Sequence, residues 1–291
     1  MSNSVSISTL PRPLALVFSG GASLGAIQVG QVKAIIEAGI VPDFVVGTSV
    51  GAINAVFMAR DFSAQQAGAL EAVWLGLRRD DVFGNLGIGT AIRLLRGGKT
   101  LVSSAGLEAL LNRELPPEAG SLQLPAHVVA VEYLSGRIAV LSEGDLRRNV
   151  LASASIPNIF DPVKIDGQLL VDGGVSANVP ILQAARLGAK SLIVLDAGYP
   201  CALTEPPKGI VPGILHTLSL ALRNQVQVTL PMLAADHSII YLPAPCPLST
   251  SPHDFSESQQ LMSAGYELAT AALASYAADG PNVQGHPHFH G

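Results

Sequence analysis

The sequence predicts a three-layer α/β/α fold around a mainly parallel central sheet. Apolar runs of strand length, such as 14–19 (Leu-Ala-Leu-Val-Phe-Ser) and 190–196, alternate with helix-compatible stretches. The links between them are short, and the first two are glycine-bearing turns that pass straight from strand to helix. A strand-helix-strand-helix opening with short links closes as parallel strands covered by helices.

Composition narrows the class. The chain has 291 residues, 48% hydrophobic and only 13% charged, enough apolar material for a large core. Net charge is −5 and no Lys/Arg cluster offers a phosphate-tracking surface, so nucleic acid is not an expected partner. No apolar run approaches the ~18 residues of a membrane span. The mean hydropathy of +0.41 nevertheless leaves apolar surface for lipid or a partner. Two cysteines, Cys201 and Cys246, are too few for a secreted disulfide framework. The first ten residues lack the basic and apolar regions of a signal peptide, so a cytoplasmic setting is expected, with at most transient contact with a membrane or micelle surface. One domain is expected over 1–280 (recognisable core 14–196). Residues 281–291, with His286, His288 and His290, read as a disordered tail rather than a metal site.

In order along the chain, 14–19 is a buried strand. Residues 25–38 are a helix with Ile27, Val29, Val32, Ile35 and Ile36 as its apolar positions, ended by Gly39. Residues 43–47 are the second strand and 50–60 the second helix. From 64 to 122 the pattern is helical with glycine breaks. The basic-apolar stretch 93–99 within it is a candidate lid or an ordinary covering helix. Residues 126–133 and 137–141 form a hairpin around Ser135-Gly136, and 145–154 a helix. Strands are expected at 168–171, 190–196 and 238–242, and helices at 180–188, 210–234 and 256–277.

Three constellations carry chemistry. Gly47-Thr48-Ser49-Val50-Gly51 reads G-x-S-x-G between a strand and a helix, the form of a nucleophile elbow, where a serine sits on a tight turn that both Gly47 and Gly51 leave room for. As a lone motif it is also compatible with a plain turn. Gly20-Gly21-Ala22-Ser23-Leu24-Gly25 joins the first strand to the first helix. It admits three readings: a nucleotide phosphate loop, a tight turn, or an oxyanion hole built from backbone N–H groups at a helix start. The oxyanion reading explains why an elbow follows one strand later. Asp172-Gly173-Gly174 ends a strand and offers a carboxylate as the base that a serine hydroxyl needs.

These motifs, in this order, resemble the patatin-like phospholipases, a family of lipid acyl hydrolases. That family carries a glycine-rich oxyanion loop after the first strand, a G-x-S-x-G elbow after the second and a D-G-G or D-G-A motif downstream. Here they stand as Ser19 to Gly25, Gly47 to Ala55 and Val171 to Val175; 152–163 and Asn178-Val179-Pro180 are also similar. The resemblance implies a patatin-like fold and a carboxylic ester hydrolase (EC 3.1.1 type) acting on lipid or ester substrates without cofactor or metal. It implies Ser49 as nucleophile, Asp172 as general base, and an oxyanion hole from Gly20, Gly21, Ala22 and Val50, with Gly25, Gly47, Gly51, Gly173 and Gly174 shaping the turns. The chain departs from the family at Ala22 and Leu24, where a third glycine and a basic residue are usual. The loss of that basic side chain weakens the case for phospholipids over neutral esters. Two rivals stay open: a Ser49-Asp-His triad using Asp172 or Asp196 with His216, His237 or His253, and a nucleotide-binding module using Gly20 to Gly25.

Overall fold

The computed structural model describes residues 10–84, 100–199, 201, 203, 205–277 and 280–287. The candidate lid at 93–99 lies outside them. The order is β1 (Leu14–Phe18), a 3-10 turn (Ala22–Gly25), α1 (Ala26–Glu37), β2 (Phe44–Thr48), α2 (Val50–Ala59), α3 (Ala64–Gly76), α4 (Arg79–Phe83) and α5 (Ala105–Glu114). Then follow β3 (Ala126–Glu132), β4 (Ile138–Leu141), α6 (Leu146–Ser153), β5 (Val163–Ile165), β6 (Gln168–Asp172), α7 (Gly174–Ala177) and α8 (Ile181–Arg186). The chain finishes with β7 (Ser191–Leu195), α9 (Ile210–Leu233), β8 (Ser238–Leu242), α10 (Ser258–Ala274) and β9 (Val283–Gln284).

One sheet holds the strands in the order β5-β6-β3-β2-β1-β7-β8-β9, with β4 on β3. From β3 to β9 every pairing is parallel; β4, β5 and β6 pair antiparallel. The expected mainly parallel sheet is therefore present, with an antiparallel flank. β1 shows why its residues are apolar throughout. Leu14, Leu16 and Phe18 point into the core beneath α1, α2 and α10, while Ala15 and Val17 point into the core beneath α7, α8 and α9. A strand covered on both faces cannot alternate with polar residues.

α1 and α10 cross unusually close. A Cβ on Gly30 would stand 1.9 Å from the Met262 carbonyl oxygen, and one on Gly265 2.3 Å from that of Ile27, so each glycine admits the other helix's backbone.

Between 64 and 122 the described helices α3, α4 and α5 are separate pieces, in line with the expected glycine breaks: Gly84 ends α4, and Ser63 caps α3 by accepting from the Gln66 N–H at 3.2 Å. Two expectations need correction. β5 is a strand the sequence did not announce. The tail expected from 281 onward is ordered at its start: β9 pairs with β8, and Gly285 packs against the Tyr241 carbonyl. Two paired residues are too short to show a periodicity.

Candidate active site

The site follows from the way β3 shares its edges. Val128 and Val129 lie between β2 and β4, while Ala130 and Val131 lie between β4 and β6. β4 occupies one edge, so β2 and β6 divide the other. β2 runs up to Thr48 opposite Val129, and β6 runs the opposite way down to Asp172 opposite Ala130. Their carboxyl ends meet head to head, which brings Ser49 and Asp172 together across 123 residues of sequence.

Ser49 Oγ donates to Asp172 Oδ2 at 2.6 Å. Ser49 has φ 53° and ψ −125°, a backbone conformation that costs on the order of 1–3 kcal/mol and needs surrounding structure to hold it. Gly47 and Gly51 provide part of that hold. A Cβ at 47 would stand 2.4 Å from the Gly51 carbonyl oxygen, and one at 51 2.4 Å from that of Ser19. Ser153 provides the rest: its Oγ accepts the Ser49 N–H at 2.8 Å and donates to the Val129 carbonyl at 2.6 Å. The residues before the D-G-G motif therefore tie the elbow to β3.

Asp172 is buried, and burial pushes its carboxyl up to about 6 from an ordinary 3.8. The Ser49 hydroxyl and the Gly174 N–H, donating to Oδ1 at 2.7 Å, work against that rise. A carboxylate poised near neutrality is suited to taking and returning a proton.

The glycine loop faces this pair. Gly20, Gly21 and Ala22 share a chamber with Ser49, Asp172, Asn178 and Asp196. The N–H of Gly20 is spent on the Asn178 carbonyl at 2.9 Å. Gly20 therefore shapes the loop rather than offering a donor, which corrects its place in the expected oxyanion hole. The N–H groups of Gly21, Ala22 and Val50 have no acceptor among the described residues. The two glycines are required by packing. A Cβ on Gly20 would stand 2.4 Å from Asn178 Oδ1, and one on Gly21 2.6 Å from Ala197 Cβ. Ala22 takes φ 50° without glycine's freedom.

A buried chain of side chains anchors the loop. Gln28 Nε2 donates to the carbonyls of Ser19 (2.8 Å) and Leu195 (3.1 Å), and its Oε1 accepts from Asn54 Nδ2 (2.9 Å). Asn54 Nδ2 also reaches the Gly25 carbonyl (3.0 Å), and its Oδ1 accepts from Trp74 Nε1 (3.0 Å). Sequence reasoning missed Gln28, Asn54, Trp74 and Ser153. A polar residue on a nearly all-apolar helix was the available signal for Asn54.

His216, His237 and His253 do not line the chamber of Ser49 and Asp172. His237 precedes β8 and so stands at the amino edge of the sheet, opposite the elbow. His253 Nδ1 pairs with Ser251 Oγ at 2.8 Å, and no histidine lines the chamber among the described residues. Asp196 accepts from the Tyr241 hydroxyl at 2.7 Å and the Gly198 N–H at 2.8 Å. Cys201 and Cys246 are not joined by a disulfide; their sulfurs pair at 3.2 Å.

A family model described as patatin-like phospholipase matches residues 16–185. Patatin-like phospholipase domain-containing protein 7 of Rattus norvegicus is 30% identical over 190 residues, which covers 64% of this chain and 14% of that protein. Lysophospholipase nte1 of Aspergillus terreus is 30% identical over 192 residues, covering 64% and 12%. The match thus spans about a seventh or less of those much longer relatives. The crystal structure of VipD from Legionella pneumophila aligns over 91% of this chain and 67% of its own at 17% identity, with a TM-score of 0.47, too loose an overlap to argue from.

Proposed function

The chain belongs to the patatin-like phospholipase family, and from that premise we propose that it hydrolyses lipid carboxylic esters through a Ser49–Asp172 dyad. The observation that carries the reading is the 2.6 Å hydrogen bond from Ser49 Oγ to Asp172 Oδ2 at the strained elbow.

In the first step Asp172 takes the hydroxyl proton as Ser49 Oγ attacks the ester carbonyl carbon. The N–H groups of Gly21, Ala22 and Val50 hold the oxyanion, a task for which donors left unpaired in the resting site are suited. The ester C–O bond breaks, Asp172 returns its proton to the departing alkoxide, and the acyl group stays on Ser49. A water then gives its proton to Asp172 and attacks the acyl carbon, releasing the carboxylic acid and restoring the serine.

The chamber in which the alcohol would sit has no Lys, Arg or His among its described lining residues, and Leu24 is buried in the core. That supports neutral or zwitterionic esters over anionic phospholipids. None of the described helices is long and apolar enough to cross a membrane; contact with a lipid surface would be peripheral.

Two features weigh against the rivals. No histidine lines the chamber of Ser49 and Asp172 among the described residues, and the first N–H of the glycine loop, that of Gly20, is already given to the Asn178 carbonyl. The test is a fluorophosphonate probe with peptide mapping, beside a panel of esters and phospholipids. Labelling at Ser49 with ester turnover supports the reading. Labelling at another serine, or NAD(P) or ATP binding with no ester turnover, overturns it.

A further inference from the structure

Ser49 and Ala22 line a second cavity besides the chamber that holds Asp172. Its walls come from α2 to α5 and the segment after α6. Apart from Ser49 and Glu114 they are apolar or aromatic among the described residues, and the Trp74 N–H is turned away onto Asn54. Phe83 and Phe160 stack with ring centroids 5.9 Å apart, and Trp74 and Phe255 at 6.1 Å. Asp172 is not among its lining residues.

That partition bears on the two-step reaction. The water that releases the acyl group must reach Asp172, so the acyl chain cannot occupy Asp172's chamber while it waits. The apolar cavity is the place for it. The lining can be followed away from Ser49. It follows α2 from Val50 through Ile53 to Phe57, seven residue steps or about 10 Å at 1.5 Å per residue. Beyond Phe57, the Arg60 guanidinium lies 5.5 Å from the ring centroid and donates to the Glu114 carbonyl at 3.1 Å. Gln66 Nε2 pins the Phe57 carbonyl at 2.8 Å, and Leu110 lines the cavity from α5, one turn before Glu114. With carbon–carbon bonds of about 1.5 Å in a zigzag, ~10 Å holds an extended chain of about eight carbons.

Resting on the hydrolase reading above, we infer that this cavity is the acyl pocket and that Phe57 and Leu110 form its floor, selecting medium-chain acyl groups of about eight to ten carbons. Each methylene that still fits raises kcat/KM about fourfold, and the gain stops at the floor.

The experiment is a series of p-nitrophenyl esters from butyrate to palmitate, run on the wild type, Phe57→Ala, Phe57→Trp and Leu222→Ala. The position of the optimum within each protein is the readout, so a variant that folds in reduced yield still reports. The wild type should peak near the octanoyl or decanoyl ester and fall at least about tenfold by palmitate. Phe57→Ala should move the peak up by three or four carbons, and Phe57→Trp should move it down. Leu222, which lines only the Asp172 chamber, should leave it in place. Turnover with Ser49 labelled, but a flat profile or a peak moved by Leu222→Ala instead of Phe57→Ala, overturns the pocket and spares the dyad. No turnover of any ester and no labelling of Ser49 overturns both.

Discussion

The two cavities that meet at Ser49 are built by different means. The chamber around Asp172 is made of strand ends, glycine turns and buried hydrogen bonds, and its geometry is held at single atoms. The apolar cavity is made mainly of side chains from α2 to α5 and the segment after α6, which set its shape and length rather than the chemistry. The first can be destroyed by one atom and the second only reshaped. Substitutions should therefore cost orders of magnitude on one side and act in graded steps on the other.

The largest effect is expected at the shared residue. Ser49→Ala should lower ester turnover on the order of 10⁴-fold or more and end fluorophosphonate labelling, checked by kcat/KM and intact mass. Asp172→Asn should come close to that loss, yet the protein should be at least as stable near neutral pH. The folded-state carboxyl lies above its unfolded value, so the folded chain holds the proton more tightly between about 3.8 and 6. Stability from that proton is full below the lower value and is lost as pH rises through the upper one, roughly 3 kcal/mol in all. Thermal melts of both proteins at pH 4 and pH 8 check this. Activity runs the other way, because only the ionised carboxylate accepts the serine proton. The wild-type kcat/KM should rise with pH through about 6 and then level.

Ser153→Ala is a smaller test of the same side. It leaves the buried Ser49 N–H without its acceptor, which costs about 1–3 kcal/mol of stability. It should lower kcat about 10- to 100-fold with KM little changed, through misplacement of Ser49. The smallest effect is expected at the histidines. His237→Ala should keep most of its activity, because His237 sits at the far edge of the sheet. A loss matching that of Ser49→Ala would revive the triad.

How much of this the sequence disclosed follows the same division. Strands buried on both faces, such as β1 and β7, are legible because nearly every residue must be apolar. The elbow and D-G-G motif are legible because close backbone approach demands glycine at fixed spacings. What was not legible depends on pairing. Nothing local says that β6 ends against β2 along one edge of β3, and only that arrangement brings Asp172 to Ser49. Gln28 looks like an ordinary helix residue until the fold buries it against carbonyls, and Asn54 stands out only as the polar residue of an apolar helix. Gly20 read as a donor because its N–H has no local partner, whereas its acceptor, the Asn178 carbonyl, arrives from across the sheet. The apolar cavity gives no motif at all, since its lining residues are those of any core.

The dyad is tested most directly by the rate of fluorophosphonate labelling, mapped by peptide mass, in the wild type and in folded Asp172→Asn. The predicted result is one adduct on Ser49, forming faster as pH rises through about 6 in the wild type, and at least about 10³-fold slower without that pH dependence in the variant. An adduct on another residue, or a variant that labels as fast as the wild type, would contradict it.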